Sequence, residues 1–222
     1  MRLRYPSALA IPVLLAIPSL HAQTTPKVYG GATPQEVVAG LQKAAKAGDL
    51  NTAFTFISPA GRTELAGEAV SGVLMMLAFS DPSDPMPGSK PLPKAELDAK
   101  VKQYRSAVDM VKQTLKPYGL DTIVGKPALS PETQKVMDAS LAKADTVALM
   151  TSLMGTMEKI GPMLGMKKGD KPGLPFDVGA VTDYKISGDK ATAKATNETL
   201  DFVKIDGRWY INPPRPKGGK RP

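Results

Sequence analysis

Apolar residues in the first part of the chain recur at the spacing of an α-helix and follow three helix-start signals. The starts are marked by capping residues, namely Thr33 with Pro34 and Glu36, then Asp49, then Ser58 with Pro59. Gly48 supplies a left-handed stop after the first helix. The apolar positions that share the predicted inner faces are Val37, Val38, Leu41, Ala44, Ala45, Ala53, Phe54, Ile57, Leu65, Val70, Val73, Leu74 and Leu77. Residues 29–79 are therefore predicted to form N-terminal helices, the third of them weakened by Gly67 and Gly72.

A proline-rich segment, residues 80–93, interrupts this pattern. It reads SDPSDPMPGSKPLP, and its five prolines predict a linker or an exposed loop. After it, apolar residues recur in steps of four and three along one predicted helix, namely Leu97, Val101, Tyr104, Val108, Val111 and Leu115. This seam favours a helix packed against its neighbours over a coiled coil, which needs more heptads. Ser130-Pro131 and Asp145 begin two further helices, so residues 94–166 are predicted to be a helical insert.

The insert is rich in methionine. Its methionines include Met150, Met154, Met157, Met163 and Met166. Thioether sulfur is a soft ligand that can select cuprous copper. The first three, however, share helical spacing with apolar neighbours, which is the place of a helix core, and methionine fills irregular cores readily. Core packing is the preferred interpretation, and no metal site is predicted.

From residue 181 the pattern changes to the two-residue alternation of β-strands. Three turn candidates, Gly188-Asp189, Asn197-Glu198 and Asp206-Gly207, divide residues 181–212 into four strands. Two-residue loops would pair residue 187 with 190, 196 with 199, and 205 with 208. One face then holds Tyr184, Ile186, Ala191, Ala193, Ala195, Leu200, Phe202, Trp209 and Ile211, with Lys204 as its charged member. The other face is polar, apart from Val203, Ile205 and Tyr210. An antiparallel four-stranded meander with one apolar face is predicted.

Three aromatic residues on the apolar face are the candidate ligand-binding residues: Tyr184, Phe202 and Trp209. The alanines of the second strand offer little volume on that face. Either the helices approach the sheet closely, which makes the large rings core anchors, or a pocket opens beneath them. Close packing is the commoner outcome, so Phe202 and Trp209 are core anchors first and pocket walls only if the helices stand away.

The N-terminus has the features of a secretory signal peptide. Arg2 and Arg4 precede a short apolar stretch broken by Pro12, and Ala22 supplies a small residue at the expected cleavage point. Residues 1–22 are predicted to be removed, and the apolar stretch is shorter than the roughly 20 residues of a spanning helix. The prediction is a soluble protein of the periplasm or the medium. Cleavage leaves 200 of the 222 residues, of which residues 23–212 are predicted to form one α+β domain.

The charge of the chain is concentrated at its ends. The formal net charge is +8, and four positive charges lie in residues 213–222, PPRPKGGKRP. This segment has no apolar group to bury, so a disordered basic tail is predicted, with at most a weak contact to an anionic membrane surface. The remainder is close to neutral and has no basic stripe, so no nucleic-acid partner is predicted.

Two absences exclude much chemistry. The chain has no cysteine, and its one histidine, His21, lies in the predicted signal peptide. The mature chain therefore has no disulfide, no thiol nucleophile, no serine–histidine pair and no imidazole or thiolate zinc site. No cofactor and no catalytic residue is predicted. An enzyme built from this chain would have to use carboxylates, tyrosine or lysine.

Two stretches carry a resemblance to a known family. TPQEVVAGLQKAAKAGDLNTAFTFIS near the start and ATAKATNETLDFVKIDGRWYI near the end resemble the small secreted bacterial domains of the nuclear transport factor 2-like superfamily. The resemblance implies an α+β, cystatin-like roll in which N-terminal helices pack on a curved antiparallel sheet. It covers both ends of the domain, and residues 80–175 have no counterpart in it. The superfamily includes isomerases, dehydratases and cyclases, and also many members without catalysis.

The position of carboxylates separates a catalytic member of this superfamily from a non-catalytic one. An enzyme of this family uses an aspartate or histidine inside the cone, whereas Asp183 and Asp201 are predicted to project from the polar face. Glu64 and Glu68 are expected on a solvated helix face. The preferred prediction is a non-catalytic secreted module that binds a small apolar ligand or an envelope protein. The alternative is a lyase or isomerase that uses an inward carboxylate with Tyr184 or Tyr210 as a hydrogen-bonding acid.

Overall fold

Helices precede a sheet in the computed structural model, which describes residues 29–84, 92–166, 179–196 and 198–213. Within these residues the α-helices are α1 (Pro34–Ala47), α2 (Leu50–Thr55), α3 (Pro59–Phe79), α4 (Lys94–Leu115), α5 (Pro131–Leu141) and α6 (Thr146–Ile160). The strands are β1 (Thr182–Ser187), β2 (Lys190–Lys194), β3 (Thr199–Ile205) and β4 (Arg208–Asn212). The fold is thus α+β, as predicted. The predicted signal peptide, residues 1–22, and the tail beyond Pro213 lie outside the described residues.

The helices begin at the predicted capping residues. The Thr33 hydroxyl accepts a hydrogen bond from the Glu36 amide at 3.2 Å, and the Glu36 carboxylate accepts one from the Ala32 amide at 2.8 Å. Ser58 and Asp145 cap α3 and α6 in the same way. Gly48 ends α1 with a φ of 67°, the left-handed conformation that favours glycine. The capping residues therefore mark where α1, α3 and α6 begin and where α1 ends.

The sheet is a meander with strand order β1-β2-β3-β4. Its first and last turns have the predicted two-residue loops, since Ser187 pairs with Lys190 and Ile205 with Arg208. Asp206 and Gly207 have φ values of 50° and 79°, the pattern of a type I′ turn, whose twist matches that of the strands.

The register at the middle turn differs from the prediction. Thr199 pairs with Lys194, not with residue 196, so the connection between β2 and β3 is two residues longer at this end. The Ala195 amide donates to the Glu198 carbonyl at 2.9 Å within this longer loop. A shift of two residues keeps every side chain on its predicted face, because the side-chain period of a strand is two. The predicted apolar face is therefore correct, although the predicted register at this turn is not.

The first helices cover the sheet, and the insert covers those helices. Helices α1 and α3 contact β4, while α6 contacts α2, α3 and α4. Helix α3 is continuous from Pro59 to Phe79 despite its two interior glycines, and it also contacts α5. In α4 the seam becomes more buried along the helix, from Leu97, which is partly exposed, to Val111 and Leu115, which are buried. The seam thus packs inside the domain.

The last described residue belongs to the folded part of the chain. Pro213 lies so close to Gly61, in the first turn of α3, that a Cβ atom at position 61 would overlap its ring. The Ser58 amide also donates to the Ile211 carbonyl at 2.9 Å, which fixes the end of β4 against the start of α3. The boundary of the predicted tail therefore moves from residue 213 to residue 214.

None of the helices in the described residues combines the length and the hydropathy that crossing a bilayer requires.

Candidate functional site

Two of the three candidate ligand-binding residues, Phe202 and Trp209, lie in the hydrophobic core. Their exposed fractions are 2% and 5%, and Phe202 lies between Ala191 and Ile211 on the inner face of the sheet. The small side chain of Ala191 is itself buried, as expected where helices approach a sheet closely. Both aromatic rings therefore act as core anchors, and they offer a ligand very little surface.

Tyr184, the third candidate, is only partly buried. Its ring centroid lies 6.3 Å from that of Phe202, with 42° between the ring planes, so the two rings contact at the rim of the core. Burial raises the pKa of the Tyr184 hydroxyl above its usual value of 10.0. The hydroxyl is therefore protonated near neutral pH, where it can donate a hydrogen bond but is a poorer proton donor for acid catalysis than a free tyrosine.

Carboxylates are missing from the buried interior of the described residues. The buried polar side chains there are Thr55, Ser58, Thr133, Thr146 and Thr156. Glu64 is partly exposed and Glu68 is exposed, so neither supplies a buried acid or base. The described residues also hold no group of three histidine, cysteine, aspartate or glutamate side chains suited to a metal ion.

The methionines of the insert divide into two groups. Met150 is buried, and Met154 and Met157 are partly buried against the core. Met163 and Met166, after the end of α6, are exposed. The three methionines at helical spacing therefore serve packing in α6, as their neighbours on the helix indicate.

Tyr210 departs from the predicted pattern. It lies on the face predicted to be polar, yet its exposed fraction is only 9%. Residues 29 and 30 cover it: its hydroxyl donates to the Tyr29 carbonyl at 3.4 Å, and a Cβ atom at Gly30 would lie 2.9 Å from its ring. Gly30 has a φ of 75° and passes this close to the sheet because it has no side chain.

The outer edge of β4 is covered by the N-terminal part of the domain. Gly31 and Trp209 form an antiparallel bridge, and Ile57 and Ile211 form a parallel one. The Ile211 amide donates to the Phe56 carbonyl at 2.9 Å. These contacts satisfy the backbone groups of β4 and close this edge of the sheet to other chains.

The opposite edge, on β1, stays open within the described residues, since β1 pairs with β2 alone. Ile186 was predicted on the apolar face and does lie opposite the buried Ala191, but 56% of its surface is exposed. Its place on an edge strand explains the difference, because there the helices that cover β4 do not cover its side chain. Within the described residues, an exposed isoleucine thus lies on a strand edge that no other strand covers, a combination that most proteins protect.

A β-bulge limits this edge. Asp183 and Tyr184 both lie opposite Ala193, since Thr182 pairs with Lys194 and Lys185 with Thr192. Asp183 has a φ of 53°, and its carboxylate forms an exposed ion pair with Lys194 at 3.4 Å. The regular, open part of the edge is therefore Lys185–Ser187, with Ile186 at its centre; we call these three residues the β1 edge.

No family model, curated protein or solved structure matches this chain.

Proposed function

We propose that the protein is a non-catalytic binding module outside the cytoplasm, and that it takes up an extended segment of a protein partner along the β1 edge. The signal-peptide pattern of residues 1–22 supports the location. The resemblance to the nuclear transport factor 2-like superfamily, many of whose members have no catalysis, supports the absence of a reaction, and the helix-on-sheet arrangement is compatible with its roll.

The observation that carries this proposal is the position of Ile186. Residues that flank a two-residue hairpin loop exchange hydrogen bonds, and the next pair along the ladder does not. Ser187 and Lys190 flank such a loop, so Ile186 and its partner Ala191 form the pair without hydrogen bonds. The N–H and C=O groups of Ile186 then point away from β2, toward the open edge. The same residue thus offers an exposed apolar side chain and both backbone groups.

An exposed apolar side chain and outward-facing backbone groups are the two components of strand addition. Backbone hydrogen bonds supply affinity to an added strand, and side-chain contacts on alternate residues supply selectivity. Ile186 provides both at one position, with the partly exposed Tyr184 ring two residues away on the same face. The bulge at Asp183 and the charge of Lys185 prevent a long ladder, which favours a short and reversible contact and protects the chain from self-association.

The interior supports a binding role over catalysis. An isomerase or lyase of this fold needs an inward carboxylate, and the buried residues of the described chain include neither aspartate nor glutamate. Burial also moves the pKa of Tyr184 away from neutrality. A small apolar ligand beneath Trp209 would have to displace core side chains, because that ring is 5% exposed. A protein partner at the edge requires no such opening.

The test is selection of peptides from a displayed heptapeptide library on the purified mature chain, followed by amide NMR with a selected peptide. We expect the largest shifts at the β1 edge, with slowed hydrogen exchange of the Ile186 amide. Ile186→Pro removes the outward N–H, which an edge strand tolerates, and we expect it to abolish binding while the fold persists.

Ile186→Thr is the matched control, because it keeps the N–H and a β-branched side chain but loses most of the apolar contact. We expect it to weaken the peptide without abolishing binding. Equal binding by Ile186→Pro and the wild type, or shifts centred on the helices, would move the site away from the β1 edge.

A further inference from the structure

Tyr29 lies between two arginines that have no acidic partner in the described part of the chain. The guanidinium carbon of Arg62, in the second turn of α3, lies 4.7 Å from the centroid of the Tyr29 ring. Arg208, the first residue of β4, donates from Nε to the Tyr29 carbonyl at 3.3 Å. Both cations are thus positioned by the same residue, one through its ring and the other through its backbone.

Neither cation forms an ion pair with a residue that the structure describes. The ion pairs of the described residues join Lys100 to Glu96 and Lys194 to Asp183, and neither includes Arg62 or Arg208. The Nε atom of Arg62 is buried and has no hydrogen-bond partner among the described residues. A buried N–H without an acceptor is costly, which favours a ligand that supplies one.

The residues around these arginines hold them in place. The Tyr210 hydroxyl shares the Tyr29 carbonyl with Arg208, at 3.4 Å, and is nearly buried. The Arg62 guanidinium lies over the Tyr29 ring, a cation–π contact that stabilises its charge and restricts its movement. Preorganised guanidinium groups bind oxyanions better than mobile ones, because less side-chain entropy is lost on binding.

The end of the described chain lies close to Arg62. Pro213 packs on Gly61, the neighbour of Arg62, and the sequence continues from Pro213 with Arg215 and Lys217.

We propose that Arg62 and Arg208 form an oxyanion site around Tyr29 and that its ligand carries a phosphate group. The planar N–H fork of a guanidinium matches two phosphate oxygens, and a phosphate dianion neutralises two arginines at once. The phosphate belongs either to a soluble molecule or to a lipid headgroup. The site is independent of the β1 edge, which lies at the other side of the sheet.

The first arm of the test titrates the mature protein with inorganic phosphate and follows the arginine Nε–H signals by NMR. We expect saturable shifts at Arg62 and Arg208 that sodium chloride of equal ionic strength does not reproduce. We expect Arg62→Gln and Arg208→Gln each to weaken phosphate by about tenfold, the effect of losing one charged hydrogen bond. Arg105→Gln, an exposed arginine on α4, is the matched control and should bind as the wild type.

The second arm measures sedimentation with vesicles that contain phosphatidic acid, whose headgroup is a phosphate monoester, using the chain without residues 214–222 to remove the charge of the tail. Binding that Arg62→Gln and Arg208→Gln abolish would show a lipid headgroup as the source, and saturable phosphate binding without vesicle binding would show a soluble ligand. If Arg62→Gln does not fold, Arg62→Lys keeps the charge and the stem, and we expect it to weaken phosphate by losing the planar fork. Shifts that do not saturate, or equal losses in Arg105→Gln, would overturn the proposal.

Discussion

Gly31 and Trp209 exchange two backbone hydrogen bonds, with N···O distances of 2.9 Å and 2.8 Å. The bridge joins the first described residues of the domain to its last strand and covers the outer edge of β4. On the inner face of the same strand, Trp209 is buried in the core that α1 and α3 complete. The closing strand therefore joins both ends of the described domain, and Trp209 itself has a structural role.

Replacing Trp209 by alanine should strongly destabilise the protein. Removing a large buried aromatic ring costs about 3 to 5 kcal/mol of the free energy of unfolding, from lost burial and from the cavity left behind. Urea unfolding at equilibrium measures the change, and Trp209→Phe, which keeps a ring, should lose much less. A loss within about 0.5 kcal/mol, the usual range of surface substitutions, would show that the indole is not buried.

Two threonines that contact each other between α4 and α6 lead us to expect different losses of stability when each is replaced. The Thr114 and Thr156 hydroxyls lie 2.7 Å apart, and Thr114 also donates to the Met110 carbonyl at 2.9 Å. Since a hydroxyl has one hydrogen, Thr156 must donate to Thr114. Thr114→Val then leaves the buried Thr156 hydroxyl without its partner and should cost about 1 to 3 kcal/mol.

Thr156→Val is the matched variant and should cost less, because Thr114 keeps its bond to Met110. The double variant should be less destabilised than the sum of the two single variants, by roughly 1 kcal/mol, as expected for a direct hydrogen bond. Chemical unfolding of all four proteins gives this coupling. Equal costs for the two single variants would contradict the assigned donor direction.

The two outer turns of the sheet show why much of this fold follows from sequence. Gly188-Asp189 and Asp206-Gly207 carry residues that favour tight turns, and both form the two-residue loops that set the register locally. Asn197-Glu198 carries a weaker signal, and the register there is two residues from the predicted one. The apolar face is nevertheless right, because it depends on the parity of the register and not on its value.

Ile186 and Tyr210 show what local patterns do not contain. Both follow the two-residue alternation, yet Ile186 is exposed and Tyr210 is buried. The exposure of Ile186 depends on which strand lies at the open edge, and the burial of Tyr210 depends on Tyr29 and Gly30 crossing the sheet. The Arg62–Tyr29 contact has the same origin. Such features come from long-range packing, for which one sequence has no periodic signal.

Stability should fall at alkaline pH because of two tyrosines. Burial raises the pKa of Tyr104 and Tyr184 above 10.0, and the Asp81 carboxylate raises that of Tyr104 further. Above pH 10 the unfolded chain loses these protons while the folded chain retains them, so rising pH favours unfolding. Below pH 10 their contribution is fully present.

Melting temperatures measured between pH 8 and pH 11 test this sign. We expect the melting temperature of the wild type to decline from near pH 10, and to decline less steeply in Tyr104→Phe and in Tyr184→Phe. At pH 8 neither tyrosine ionises, so this effect is absent there. Asp81→Asn should bring the Tyr104 titration, followed by tyrosinate absorbance, back toward its usual value. A wild-type decline that both phenylalanine variants reproduce unchanged would assign it to other groups.

We predict that the protein is exported and that cleavage leaves a mature N-terminus near Gln23. The prediction follows from the basic start, the short apolar stretch and the small residue Ala22 of the signal-peptide pattern. Expression of the full chain in a Gram-negative host, fractionation and N-terminal sequencing give the result. Arg2→Glu with Arg4→Glu removes the positive start and should leave the precursor uncleaved. An intact Met1 on wild-type protein from the periplasm would contradict cleavage.

Truncation should locate the end of the folded chain between Pro213 and residue 214. Pro213 packs on Gly61, whereas residues 214–222 contain no apolar group whose burial could offset the cost of ordering a backbone. Deleting residues 214–222 should therefore leave the melting temperature unchanged within error, and deleting residues 213–222 should lower it. Deleting residues 214–222 should also reduce binding to acidic vesicles, since each basic residue contributes about 1 kcal/mol near a charged surface. Four such charges give an association that physiological salt removes, because ions screen exposed charges beyond about 8 Å. A clear fall in melting temperature on the shorter deletion would mean that the tail docks on the domain.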